Sequence, residues 1–210
     1  MVAFLNFAST WEMLSLNIWP ALSRARFAIV SVATVYFLSC LLGAILVHGG
    51  NHFALHNRDS VVGAAQTSTI LTQLSAGHPL RAAILDFGGN LVGGISSGLL
   101  GLFPPMGYGM ALFRGWIGGI VSVNGEHQTR LASARSGIYY VGVLLLQIIP
   151  YSLVGGAGIN IGISLYRCPA HYSGARWWSF PLEALRDGWR LLVLAIPLFL
   201  IASLIEFYFA

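Results

Sequence analysis

Apolar residues run along this chain in blocks too long for the interior of a small soluble domain, with polar positions gathered between them. The run over 27–48 carries no acidic or basic charge apart from its closing histidine and predicts a membrane-spanning helix. Further spans are predicted over 82–103, 106–123, 136–166 and 189–208, with Phe103-Pro104-Pro105 forcing a tight turn between the second and third. Ahead of the first span, Phe4, Phe7, Trp11, Leu14, Ile18 and Leu22 recur at steps of three and four. That spacing predicts an interfacial amphipathic helix over 1–26, ended at the headgroup layer by Pro20, Arg24 and Arg26. Residues 49–82 read as a polar loop with a short amphipathic helix in 60–76, and Pro181 to Arg190 as a surface lead-in to the last span. Pro150 and the crowd of Gly155, Gly156, Gly158 and Gly162 predict one kinked or broken span over 136–166. The fold class is therefore all-α: a polytopic integral membrane helical bundle over 27–210, with about five transmembrane helices.

Composition agrees. Of 210 residues, 56% are hydrophobic and 9% charged, and the mean hydropathy is +0.74. A soluble domain carries about 25% charged residues, so too few polar side chains are left here to cover a surface facing water. The length fits one membrane domain. A net charge of +4 does not indicate nucleic acid, because the basic residues are eleven scattered arginines with no lysine. Arginines that flank apolar runs read as boundary anchors. With a cytoplasmic N-terminus, the inner segments hold Arg24, Arg26, Arg167, Arg176, Arg186 and Arg190, and the outer loops Arg58, Arg81, Arg130 and Arg135. This bias predicts a multi-pass protein of the inner (cytoplasmic) membrane with its N-terminus inside. The first span is longer than the apolar core of a cleavable signal and reads as a retained anchor. Cys40 and Cys168 lie in unrelated settings and form no disulfide framework or zinc motif.

Ionisable and amide groups inside spans mark candidate chemistry, because lipid penalises them unless they serve a site. They are Asp86 and Asn90 in the second span, Arg114 in the third, Gln147 and Asn160 in the fourth and Glu206 in the fifth. Counted from the Pro104 turn at about 1.5 Å per residue, Arg114 lies roughly 15 Å deep, Asn90 about 21 Å and Asp86 about 27 Å. A long arginine can reach Asn90 at those depths, whereas a direct pair with Asp86 needs strain. Together these six residues are the candidate substrate or ion pathway. Glycine ladders (Gly88, Gly89, Gly93, Gly94, Gly98, Gly101, then Gly107, Gly109, Gly115, Gly118, Gly119) read as close helix packing. His48, His52 and His56 recur every four residues, as metal ligands on one helical face do, but Gly49-Gly50 interrupts that face. No metal or cofactor is expected.

Gly94-Ile95-Ser96-Ser97-Gly98 fits the nucleophile signature of serine hydrolases, and Ser97-Gly98-Leu99-Leu100-Gly101 resembles rhomboid intramembrane proteases. That family needs a histidine on a late span, where this chain has Tyr151 and Ser152, so a degenerate hydrolase is the alternative reading. The back half resembles the stage II sporulation protein M family of multi-span membrane proteins. Three stretches carry the resemblance: Phe87-Gly88-Gly89-Asn90, the small-residue run from Val154 to Gly162, and the closing run Ile201 to Phe207 with its single Glu206. Where members of that family carry a His-Gly pair and a glutamate, this chain reads Gln147-Ile148-Ile149-Pro150-Tyr151-Ser152. The resemblance implies a non-enzymatic channel, permease or scaffold subunit, working in the lipid bilayer as a homo-oligomer or beside a partner membrane protein.

Overall fold

The computed structural model describes residues 18–124, 126–166 and 182–208. Among them are seven helices: α1 (Ile18–His48), α2 (His52–Gln66), α3 (Thr69–Ser75), α4 (Pro79–Gly101), α5 (Pro104–Ile120), α6 (Ala134–Tyr166) and α7 (Leu182–Tyr208). Four of these, α1, α4, α6 and α7, are long and apolar enough to cross a membrane. The helix expected as the third of five spans, α5, has 17 residues and is not one of those four.

Most of the interfacial segment expected over 1–26 lies outside the described residues. Its last part does not end at Pro20 or at the Arg24/Arg26 pair. Pro20 falls in the first turn of α1, where a missing N–H costs no hydrogen bond, and the helix continues through both arginines. The expected loop over 49–82 is largely helical: α2 and α3 fill it, capped by Asn51 and Ser68 side chains that accept from Ala54 N and Leu71 N. Gly50 (φ +70) and Gly77 (φ +79) take the left-handed conformation that turns the chain out of α1 and into α4. α6 is one continuous helix through Pro150 rather than a broken one. Likewise α7 absorbs the expected lead-in and continues through Pro197.

Side-chain contacts fix the helix directions. Ser31 meets the Tyr108 hydroxyl at 2.8 Å and Ser39 Oγ donates to Leu112 O at 2.7 Å, so α1 and α5 run parallel. Ser203 bonds Asp86 and Phe199 packs under Gly94, so α7 runs against α4. Gly98 and Gly101 of α4 face Gly158 and Ile159 of α6, and those two run together. Thus α1, α5 and α7 share one direction and α4 and α6 the other. The core between them is built on Val32, Tyr36, Tyr151, Ile159, Leu191 and Phe199. At the far end of α1 a second cluster of Val47, Ala54, Ile120 and Val123 holds α2 against α1 and α5. At its near end, Arg24 grips Asp187 of α7 with Nε at 2.6 Å and Nη2 at 2.7 Å, and Arg190 stands 3.4 Å from the same carboxylate.

A close seam of backbone against backbone runs between α1 and α5. A Cβ on Gly119 would overlap the Cys40 carbonyl oxygen, and one on Gly115 the Tyr36 carbonyl oxygen. Backbone cannot step aside as a side chain can, so Gly119→Ala is expected to cost about 1–3 kcal/mol, the range of an overpacked core. Gly109→Ala is the control, since nothing lies within 4 Å of that position. There the better helix propensity of alanine is expected to leave the detergent melting temperature equal or slightly higher. Equal melting temperatures for both variants would show that the seam is loose.

Outside the bundle, Arg58 donates to Asp59 and the His127 ring lies 2.9 Å from the same carboxylate. Arg58 first, then His127, hold the Asp59 carboxyl below the usual carboxylate range. A depressed carboxylate stabilises above its unfolded value, about 3.9, and that contribution is lost as pH falls through the folded value. Protection of the Gln128 and Thr129 amides, measured against their intrinsic exchange rates, is therefore expected to fall in acid, and Asp59→Asn to show the lower protection already at neutral pH.

Candidate functional site: a polar network inside the bundle

α4 sets the network. Asp86 and Asn90 are four residues apart, which puts both on one helical face, and Asn90 Nδ2 donates to Asp86 Oδ2 at 2.8 Å. From α7, Ser203 Oγ donates to the same oxygen at 2.7 Å and lies 3.5 Å from Asn90 Nδ2. From α6, the Tyr151 hydroxyl donates to Asn90 Oδ1 at 2.8 Å, with the Asn90 carbonyl at 3.2 Å. Asn90 is thereby a junction: its amide nitrogen serves the acid and its amide oxygen serves the phenol.

Arg114 completes the row from α5. Its guanidinium carbon sits 3.9 Å from the Tyr151 ring centroid, a cation over the negative face of an aromatic. Phe199 meets the same ring edge-on, at 4.8 Å and 71°. Gly93 makes the room, because a Cβ there would overlap Arg114 Nη2. Arg114 Nε is buried without a hydrogen-bond partner. Tyr151 therefore stands between Arg114 and Asn90, which the depth count had placed within direct reach of each other.

One helical turn beyond Ser203 on α7, Glu206 Oε2 accepts from Gln147 Nε2 of α6 at 3.0 Å. Tyr139 donates to the Glu206 backbone carbonyl at 2.6 Å and fixes the end of α7. Glu206 and Gln147 open on a cavity of about 340 Å³ that is also lined by Arg130, Tyr139 and Tyr140. Among the described residues, none of Asp86, Glu206 and Arg114 forms an ion pair. Both carboxylates are held by neutral donors and the guanidinium by a ring.

Five of the six expected pathway residues, Asp86, Asn90, Arg114, Gln147 and Glu206, thus belong to this region. Asn160 does not. It lies 13 residues beyond Gln147 on α6, roughly 20 Å away along the axis, where its carbonyl accepts from Ser164. The sequence reading missed Tyr151 and Ser203 as members of the network. Their positions held the signal: Tyr151 is one turn past Gln147, and Ser203 one turn before Glu206. It also missed Asp187, although that acid stands three residues before Arg190.

The remaining motifs lie apart. His48 bonds Ala44 O and Thr129 Oγ1 at 2.8 Å each, while His52 and His56 are exposed on α2, beyond the Gly50 turn. Among the described residues no three histidine, cysteine or acidic side chains converge as a metal site would require. Ser96 and Ser97 are helical, their hydroxyls donating at 2.8 Å to Val92 O and Gly93 O. His78, the nearest described histidine along α4, is about 29 Å from Ser97 at 1.5 Å per residue. Cys40 is a buried free thiol, and Cys168 lies outside the described residues. We found no family model, curated protein or solved structure that the chain matches.

Proposed function

We propose that this chain is a non-enzymatic, permease-type subunit of a homo-oligomeric or multi-protein membrane assembly, and that its polar network forms the pathway for a proton or small polar solute. The observation that carries this reading is the row Asp86–Asn90–Tyr151–Arg114. Charged groups lie inside the bundle, bonded to neutral side chains that can exchange partners without separating an ion pair. Cost in lipid makes such groups functional by default.

The reading takes α5 as a fifth crossing. Its 17 residues span about 25 Å, and it runs beside α1 from the Gly101 end of α4 to the Val47 end of α1. The termini then face opposite sides, with the N-terminus cytoplasmic. The likeness to the sporulation protein M family suits a subunit that works beside a partner. The hydrolase alternative gains nothing, because both serine hydroxyls are committed to backbone carbonyls.

The test is flux into proteoliposomes loaded with a pH-sensitive dye, under a potassium-valinomycin potential. Wild-type protein is expected to acidify the lumen well above empty vesicles, and Asp86→Asn to return the rate to the empty-vesicle level. Equal rates for wild type and empty vesicles, across protons and a panel of small polar solutes, would sink the pathway.

A further inference from the structure

We infer that the cavity at the Glu206 end of the bundle is a binding site for a small zwitterion with an apolar body, an α-amino acid with an apolar side chain. A basic and an acidic side chain line this one cavity of about 340 Å³ without forming a salt bridge: Arg130, from the segment between α5 and α6, and Glu206, from α7. No hydrogen bond joins the Arg130 guanidinium to a described residue, and Glu206 uses Oε2 for Gln147, leaving Oε1 without a described donor.

Of the other polar groups in the lining, the two tyrosines have already given their hydroxyl hydrogens, while Gln147 donates one N–H to Glu206 and keeps its amide oxygen. Tyr139 donates its hydroxyl hydrogen to Glu206 O and Tyr140 donates its own to Gly118 O. What the cavity offers a ligand is therefore one guanidinium for an anionic group, and one Glu206 carboxyl oxygen with the Gln147 amide oxygen for a cationic N–H donor. An arginine is suited to a carboxylate, which its planar fork can meet with two bonds. Leu71 and Leu74 of α3 contribute apolar wall to the same cavity, which a bare ammonium or a bare carboxylate would leave unfilled. The volume sits at the small end of ligand sites, roughly 300–1,000 Å³, which suits a single amino acid better than a peptide. This inference deepens the pathway reading by naming its cargo, but binding at the cavity stands on the lining alone.

Calorimetry on the detergent-purified full chain tests it with three ligands of one shape: phenylalanine, phenethylamine and 3-phenylpropionate. Phenylalanine is expected to bind saturably, and each singly charged analogue at least tenfold more weakly. Arg130→Gln, a change at an exposed position, is expected to bring phenylalanine down to the level of phenethylamine. Glu206→Gln is expected to bring it down to that of 3-phenylpropionate. Arg135→Gln, outside the lining, should change neither. Phenethylamine binding as tightly as phenylalanine would overturn the inference, as would preference for O-phosphoethanolamine, the mark of a lipid headgroup site, or heat from none of the ligands. Proton flux without phenylalanine binding removes the cargo and keeps the pathway; binding without flux of any solute does the reverse.

Discussion

Arg24→Met is expected to lower the stability of the folded bundle by roughly 3–5 kcal/mol, the usual consequence of removing one member of a buried ion pair and leaving the other in place. Arg24 meets Asp187 with two nitrogens, at 2.6 and 2.7 Å, and Asp187 is only 1% exposed. Arg190, 3.4 Å away and three residues along the same helix, is too weakly placed to take over. The contact also joins the first helix to the last across 163 positions of sequence, so its loss loosens both. Thermal unfolding in detergent reads the effect. Arg24→Met combined with Asp187→Leu is expected to regain most of it, because well-packed apolar replacements for a buried pair are often neutral or better. A single Arg24→Met that melts with wild type would mean the bidentate contact contributes nothing.

The second large effect follows from the proposed pathway and is read as flux. Arg114→Lys keeps the charge but loses the flat guanidinium that lies over the Tyr151 ring. A desolvated cation–π contact is worth about 2 kcal/mol, or roughly 30-fold in an equilibrium. Flux is expected to fall by up to that factor, with a drop of a few degrees in melting temperature and expression largely kept. Tyr151→Phe separates the two roles of the tyrosine: the ring stays under Arg114, but the hydrogen bond to Asn90 goes. If the hydroxyl links the guanidinium to the acid, flux falls again with Arg114 still seated. A folded Arg114→Gln with wild-type flux would end any functional role for Arg114.

The helices were legible in sequence to the extent that lipid dictates them. Long apolar runs have one outcome in a bilayer, so the cores of α1, α4, α6 and α7 lie where hydropathy puts them. Boundaries were less legible, because they depend on what a helix end touches. Pro20 reads as a stop by itself, yet it sits in the first turn of α1, where proline is tolerated. The 49–82 segment looked loop-like from its polarity. Its two helices rest on the Asn51 and Ser68 caps and on Ala54 packing against Ile120 and Val123, and only the first of those causes is local.

The same division holds for the site. Asp86, Asn90, Arg114, Gln147 and Glu206 stood out as costly groups inside apolar runs. Which of them meet depends on helix order, and no periodicity encodes that order. Tyr151 and Ser203 were overlooked because a tyrosine or a serine in a span costs little and draws no notice. Asn160 drew notice for its chemistry and proved to lie a long way along α6 from the others.

The α1–α5 seam bears on how the protein is made. If α5 is the fifth crossing proposed above, it enters a bilayer poorly by itself. At about 25 Å it is shorter than the roughly 30 Å hydrocarbon layer, and an arginine near the middle of a span opposes insertion by about 2.5–3.5 kcal/mol. What it needs is a neighbour already in lipid, with backbone exposed for Gly115 and Gly119 to lie against. Synthesis supplies that neighbour first: α1 leaves the ribosome well before α5, and Pro104 and Pro105 fold α5 back on α4 as a hairpin. Biogenesis is then sequential, with α1 waiting beside the insertion machinery as a template and α4 and α5 entering as a pair against it. Damage to the α1 side of that seam would be read by the cell as a failure of insertion, and the chain degraded, before any defect in transport could show.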